Sequence, residues 1–287
     1  MSRRRVLREL VERRSGLVVP GAYDGVSAKL VEAAGFPVVY MTGYGVSASR
    51  LGMPDMGFVG LGEMADQTRN LAMAVSIPVI ADADTGYGNA LNVRRTVQLY
   101  EAEGVAALHL EDQQLPKRCG HLAGKTVVAA SEFAGKIRAA VEARQDADLM
   151  IIARTDAIAV SGFDDALRRG EAAVKAGADL LFIEAPTTEA QIEQIARTFD
   201  TPLLFNYAPG GRSPRLPFAR LRELGYAVIL LPVDTLFVAA RAIQDFLADL
   251  RSGDRVQPLD DRYMSFAAFG RLIGIDAEMA LGEKYTS

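Results

Sequence analysis

The sequence has one cysteine, two histidines and no tryptophan in 287 residues. A single cysteine excludes an internal disulfide and suits a reducing cytoplasm, which is the expected location. No apolar run approaches the roughly 18 residues of a membrane span, so no membrane partner is expected. Positive charge is not in surplus, the net charge being −4. Backbone phosphates need clustered cations, so no nucleic-acid partner is expected either. No G-x-G-x-x-G follows the first strand-like run, which argues against an open dinucleotide-binding sheet. The basic start is followed by no apolar h-region and is broken by Glu9 and Glu12. It reads as an amphipathic helix lying outside the domain, not as a targeting segment.

What is present is apolar material, 49% of the chain, much of it in short β-branched runs. Candidate strands are 17–20, 38–42, 79–84, 107–112, 150–155, 180–184, 203–206 and 227–231. Helix-like segments lie near 24–34, 62–74, 91–103, 131–144, 164–176, 188–198, 217–224 and 234–250. Strict alternation implies parallel βαβ units, and eight of them predict a closed (β/α)8 barrel of the TIM type, which typically takes about 250 residues. Gly35, Gly104 and Gly177 each follow a helical segment and are expected as left-handed caps. Residues 1–250 are assigned to the barrel catalytic domain and 251–287, after a polar break at 251–255, to a helical extension of it. Such a tail packs on a neighbouring subunit or covers the barrel's own side; the first predicts a homo-oligomer.

The chemistry gathers around Pro78-Val79-Ile80-Ala81-Asp82-Ala83-Asp84-Thr85-Gly86-Tyr87-Gly88-Asn89. Alternation puts Asp82 and Asp84 on one strand face, where two like charges call for a cation. Oxygen donors favour a hard ion such as Mg2+, with Mn2+ as its substitute. Barrel enzymes work at the C-terminal ends of their strands. Those ends carry Tyr40 and Thr42, then Asp82 and Asp84, then His109, Glu111 and Asp112, then Arg154 and Asp156, Glu184, and Asn206. Acids that hold a metal beside a guanidinium that grips a carboxylate describe a site for a small chelating acid, such as a 2-hydroxy or 2-oxo acid. Taken singly, each has a duller role: Arg154 pairing with Glu184, Asn206 capping a turn, His109 satisfied in the core. Two loops add to the set. Gly43-Tyr44-Gly45 offers backbone N–H groups to a carboxylate. The loop after the fourth strand carries Cys119 among Lys117, Arg118 and His121, cations that favour easy proton transfer from the thiol. Gly120 and Gly124 there suit a loop that excludes water.

The stretches Asp82-Ala83-Asp84-Thr85-Gly86-Tyr87-Gly88, His109-Leu110-Glu111-Asp112, Lys117-Arg118-Cys119-Gly120-His121 and Ile152-Ala153-Arg154-Thr155-Asp156 resemble the isocitrate lyase/phosphoenolpyruvate mutase superfamily. The resemblance implies a (β/α)8 barrel whose eighth helix is swapped between subunits, Mg2+ dependence, and a dimer of dimers, that is, a homotetramer. It implies that Asp84 contacts the metal, with Asp82, Asp55 and Glu111 acting largely through waters. It implies that the segment from Tyr40 through Thr42 and Gly43 to Tyr44 holds a 2-oxo acid, that Arg154 binds its carboxylate, and that Glu184 and Asn206 complete the substrate site. Lys-Arg-Cys-Gly-His resembles the lyase branch, which includes the (methyl)isocitrate, 2,3-dimethylmalate and 2-alkylmalate lyases. Carboxyphosphonoenolpyruvate phosphonomutase shares that motif and is the alternative, beside an oxaloacetate decarboxylase or hydrolase and, remotely, a barrel that binds small acids without turnover. For a lyase, Cys119 is expected as general acid tuned by His121 and Lys117, with Tyr40 or a metal-bound water as the initial base. After Asn206 the chain reads Tyr207-Ala208-Pro209-Gly210-Gly211-Arg212, where many relatives continue with a glutamate and two glycines. That departure argues against methylisocitrate. Pocket size near Tyr44, Tyr207 and Pro232 is expected to select the side chain.

Overall fold

Successive residues of a strand face opposite ways, and this period organises the chain into two apolar layers. Leu180 and Phe182 pack with Ile152, Leu204, Val228 and Leu230 in one cluster, while Leu181, Ile183, Ile151, Ala153 and Ile229 join the other. The first cluster fills a barrel and the second lies between the barrel and its helices. A computed structural model describes residues 1–120, 124–253 and 263–286. Its strands are β1 (Leu17–Ala22), β2 (Val39–Met41), β3 (Val79–Asp82), β4 (Ala107–Glu111), β5 (Met150–Thr155), β6 (Leu180–Ile183), β7 (Leu203–Asn206) and β8 (Val228–Leu231). They pair in parallel in chain order, and β8 closes on β1 with Leu17 opposite Val228. The predicted (β/α)8 barrel is therefore observed.

The helices are α1 (Arg3–Glu12), α2 (Gly25–Ala33), α3 (Gly43–Leu51), α4 (Leu61–Ala74), α5 (Ala90–Ala102), α6 (Ala130–Ala143), α7 (Phe163–Lys175), α8 (Glu189–Thr198), α9 (Phe218–Glu223), α10 (Asp234–Ser252), α11 (Phe266–Ile273) and α12 (Ile275–Thr286). Local chemistry starts and stops them. Asp24 caps α2, accepting from the Ser27 N–H at 2.7 Å. Gly35, Gly104 and Gly177 take φ of 84°, 87° and 100° at the expected helix ends. Helix α1 does more than lie outside: Leu7 and Val11 are buried in the cluster that fills the barrel. Full burial of such side chains stabilises by roughly 1.5–3 kcal/mol each.

The structure departs from sequence expectation at the second strand. Residues 43–49 were expected as a glycine loop and are the start of α3, because Thr42 Oγ1 accepts from the Gly45 N–H at 3.2 Å and caps a helix there. At the other end, α10 buries none of its side chains and leaves Val238, Ile243 and Leu247 more than half exposed. Phe266, Met279 and Tyr285 of the last two helices are likewise exposed. Helix α11 lies against α2. Among the described residues no helix is long and apolar enough to cross a membrane.

Candidate active site

Strand register brings the functional side chains to one rim. Asp82 stands opposite His109, and Glu111 opposite Arg154. Above them is a cavity of about 210 Å3, bounded by Tyr40, Thr42, Tyr44, Asp55, Asp82, Glu111, Lys117, Cys119, Arg154, Glu184 and Asn206. Eleven of the residues expected from sequence thus meet at one place. Asp84 sits just behind the wall, tied to it through Lys117. Gly43 is buried beneath, where its N–H donates to Asp82 Oδ2 at 3.1 Å. A Cβ there would lie 2.5 Å from that oxygen, so only glycine lets α3 start so close to the carboxylate. His121 lies outside the described residues. Tyr207 does not line the cavity; it packs on Phe205 and Phe218.

Alternation does not place Asp84. Strand β3 ends at Asp82, and Asp84 turns through a left-handed φ of 48°. Its N–H donates to Asp82 Oδ1 at 3.0 Å, so the turn itself holds the two carboxylates together. The Lys117 ammonium, expected beside the thiol, lies 2.7 Å from Asp55 and 2.5 Å from Asp84. Arg154 is gripped by three acids, with Nε 2.9 Å from Asp156 and 3.4 Å from Glu111, and Nη2 3.2 Å from Glu184. Asn206 Nδ2 donates to the same Glu184 at 3.1 Å. Tyr40 Oη lies 2.7 Å from His109 Nε2 and donates to Asp82 at 3.3 Å.

Burial sets the protonation of this cluster. It pushes Asp84 up to about 7, with Lys117 opposing and the Asp82 and Asp55 charges adding. It raises Glu111 well above the carboxylate range against the pull of Arg154. Asp82 is also buried, but His109, Lys117 and Arg154 outweigh that and hold it at about 2. Burial lowers His109 to about 4 despite Asp82, so the imidazole is neutral at pH 7. Tyr40 is raised well above its ordinary value by burial and by Asp82, which keeps its proton on.

Two acids forced toward protonation mark a site short of positive charge. The Glu111 Oε1 is buried without a hydrogen-bond partner. An all-oxygen donor set fits a hard divalent cation. Among the described residues no three acidic, His or Cys side chains converge on one point at ligand distance.

The sequence pointed to most of the rim but to little of its apolar side. Phe182 lies under the Arg154 guanidinium at 4.8 Å, and Val233 and Phe237 complete the wall beside Pro232, the one apolar wall residue that was expected there. Phe237 belongs to the first turn of α10; nothing in the local pattern marks it out from the other apolar positions of that helix.

The Phosphoenolpyruvate phosphomutase family profile matches residues 7–251. The chain belongs to that family. Among curated members it is 43% identical to 2,3-dimethylmalate lyase of Eubacterium barkeri, over 98% of this chain and 97% of that one. It is 41% identical to 2-methylisocitrate lyase of Aeropyrum pernix, over 94% of this chain and 86% of that one. It is 38% identical to the chloroplastic carboxyvinyl-carboxyphosphonate phosphorylmutase of Arabidopsis thaliana, over 97% and 83%. Among solved structures, oxaloacetate acetylhydrolase in complex with the inhibitor 3,3-difluorooxalacetate superposes with a TM-score of 0.94 at 36% identity, covering 100% of this chain and 98% of that one. Phosphonopyruvate hydrolase in complex with oxalate and Mg++ superposes with 0.91 at 31%, covering 100% of both.

Proposed function

We propose that this chain is a Mg2+-dependent carbon–carbon lyase. It cleaves the C2–C3 bond of a small 2-hydroxy di- or tricarboxylate to a 2-oxo acid, such as pyruvate or glyoxylate, and a second acid. The observation that carries this is the meeting of Cys119 and Arg154 across one cavity floored by the carboxylates. Relatives named as lyases support it.

In this reading Arg154 binds the carboxylate of the 2-oxo portion, and Thr42, Tyr44, Glu184 and Asn206 orient the rest. Tyr40 faces the 2-hydroxyl; its own O–H donates to the Asp82 carboxylate at 3.3 Å and His109 Nε2 lies 2.7 Å from the same oxygen, so a proton arriving from the hydroxyl has onward partners. As the C2–C3 bond breaks, its electron pair passes to the departing fragment, which becomes an enolate-like carboxylate. Cys119 then supplies the proton to that carbon, tuned by His121 and Lys117. Asp84, with Asp82, Asp55 and Glu111, would hold the cation; the choice of Mg2+ is supported by the similar phosphonopyruvate hydrolase, whose structure was solved in complex with oxalate and Mg++. When bound it supplies Lewis-acid stabilisation of negative charge on the substrate's oxygens.

A second reading, hydrolysis of oxaloacetate, draws support from the superposition on oxaloacetate acetylhydrolase. Incubation with Mg2+ and a panel of 2-alkylmalates, 2,3-dimethylmalate, methylisocitrate and oxaloacetate decides between them. A 2-oxo acid released with its partner acid, and lost with EDTA and in Cys119→Ser, supports the lyase. Oxalate and acetate from oxaloacetate alone would replace it with the hydrolase.

The exposed apolar faces of α10 to α12 support a homotetramer in which these helices cover a second copy. A reducing cytoplasm suits the single thiol.

A further inference from the structure

Lys125 carries its ammonium into the interior, its side chain 1% exposed, and no step above uses it. Its Nζ donates to Asp156 Oδ1 at 2.7 Å and to the carbonyl of Gly120, the residue after Cys119. Asp156 is fully buried and also receives Arg154, from Nε at 2.9 Å and from Nη2 at 3.3 Å. It is held from behind, because its own N–H donates to Asp112 Oδ1 at 2.9 Å. Asp112 in turn takes Thr155 Oγ1 at 2.6 Å and Arg169 Nη1 at 3.2 Å. One anchored carboxylate therefore orients two cations. One is the guanidinium at the cavity wall. The other ties down the peptide next to the thiol.

A buried ion pair is by itself weak evidence for anything beyond packing. Two observations point further. The second bond of Lys125 goes to the loop that carries Cys119, not to the core. That loop also rests directly on Arg154: a Cβ on Gly120 would fall within 2.3 Å of Arg154 Nη2 and 3.0 Å of Glu184. The spacing between thiol and guanidinium thus passes through Asp156 from both sides.

We propose that Lys125 and Asp156 are positioning residues that set the Cys119–Arg154 separation, and with it the size of the acid held between them. This rests on the lyase reading only for the identity of the reaction. Lys125 acts on the thiol side of the pair and Asp156 on the guanidinium side, so their loss separates kinetically. Without Lys125, Arg154 keeps its partner, so ground-state binding survives while proton delivery suffers. Without the Asp156 charge, Arg154 loses its orientation and binding suffers.

The test uses the full chain as Lys125→Met, Lys125→Arg and Asp156→Asn, each checked for folding by circular dichroism and melting. Two readouts are taken: steady-state kinetics on whichever acid is turned over, and the rate of Cys119 alkylation by iodoacetamide with Mg2+ and oxalate present. A misplacement near 1 Å costs about 100-fold in rate. Lys125→Met is therefore expected to lower kcat by about 10- to 100-fold with KM within about threefold, and to raise the alkylation rate about tenfold. Lys125→Arg is expected to recover most of both, and Asp156→Asn to raise KM about tenfold or more. A folded Lys125→Met with wild-type kcat and alkylation rate overturns the proposal. Should that variant not fold, Lys125→Gln, which keeps a donor for the Gly120 carbonyl but loses the charge pair, is read on the same alkylation scale. The intended alkylation pattern without turnover of any acid would sink the lyase reading and leave the positioning role standing; turnover with unchanged alkylation would do the reverse.

Discussion

Gly120→Ala probes the contact on which the site's geometry turns. The backbone at Gly120 is not left-handed, so alanine adds only a methyl group. That methyl would lie 2.3 Å from Arg154 Nη2, and carbon needs about 3.5 Å, so something must move by about 1 Å. Arg154 is tethered by Asp156, Glu111 and Glu184. Pulling one partner out of a buried pair costs about 3–5 kcal/mol. The loop is held by the Lys125 bond to the Gly120 carbonyl and by Cys119 N–H to Asp55 O at 3.1 Å. Two such bonds are worth about 2–3 kcal/mol together. The loop yields first, and Cys119 moves with it. The expected loss in kcat is about 100-fold, equivalent to about 2.7 kcal/mol. KM should stay within about threefold, and Tm within about 4 °C, since the global core is untouched. Steady-state kinetics and a thermal melt check this. Wild-type kcat, or a rise in KM at unchanged kcat, would refute the reasoning, the second because it would mean that Arg154 moved instead.

Three further outcomes follow from the same geometry. In metal-free protein, Asp84 holds its proton to about pH 7 in the fold but releases it near pH 4 when unfolded. The unfolded state binds fewer protons between these values, so stability falls as pH rises from about 5 to 7; melts should show this, and the slope should shrink in Asp84→Asn and on adding Mg2+. Leu7→Ala, which opens a cavity under the barrel, should cost about 2–5 kcal/mol by urea unfolding; a loss under 1 kcal/mol would mean that α1 does not close the barrel. Val238→Asp on the bare face of α10 should lower the oligomer size seen by light scattering while leaving the far-ultraviolet spectrum intact, and an unchanged size would exclude that face from the interface.

The sequence alone determined the barrel and most of its working rim. Period-two runs, period-3.6 segments and left-handed glycines are local signals. They located β1 to β8 within two residues at each end and put Asp82, Glu111, Arg154, Glu184 and Asn206 at the strand ends where barrels do chemistry. The tertiary structure decided what each of those groups meets. Lys117 and Asp55 lie 62 residues apart, and Lys125 and Asp156 31 apart, and no local pattern couples them. Asp84 joins Asp82 through a left-handed turn, where alternation would have used an extended strand. Helix α3 replaces a glycine loop because Thr42 caps it. Phe237 reaches the cavity only because α10 begins against β1, where Thr235 Oγ1 donates to the Gly21 carbonyl at 2.7 Å. The physical reason is the same throughout: periodicity is written in neighbouring residues, whereas charge pairing and cavity shape depend on closure of the barrel, which brings distant residues within hydrogen-bond range.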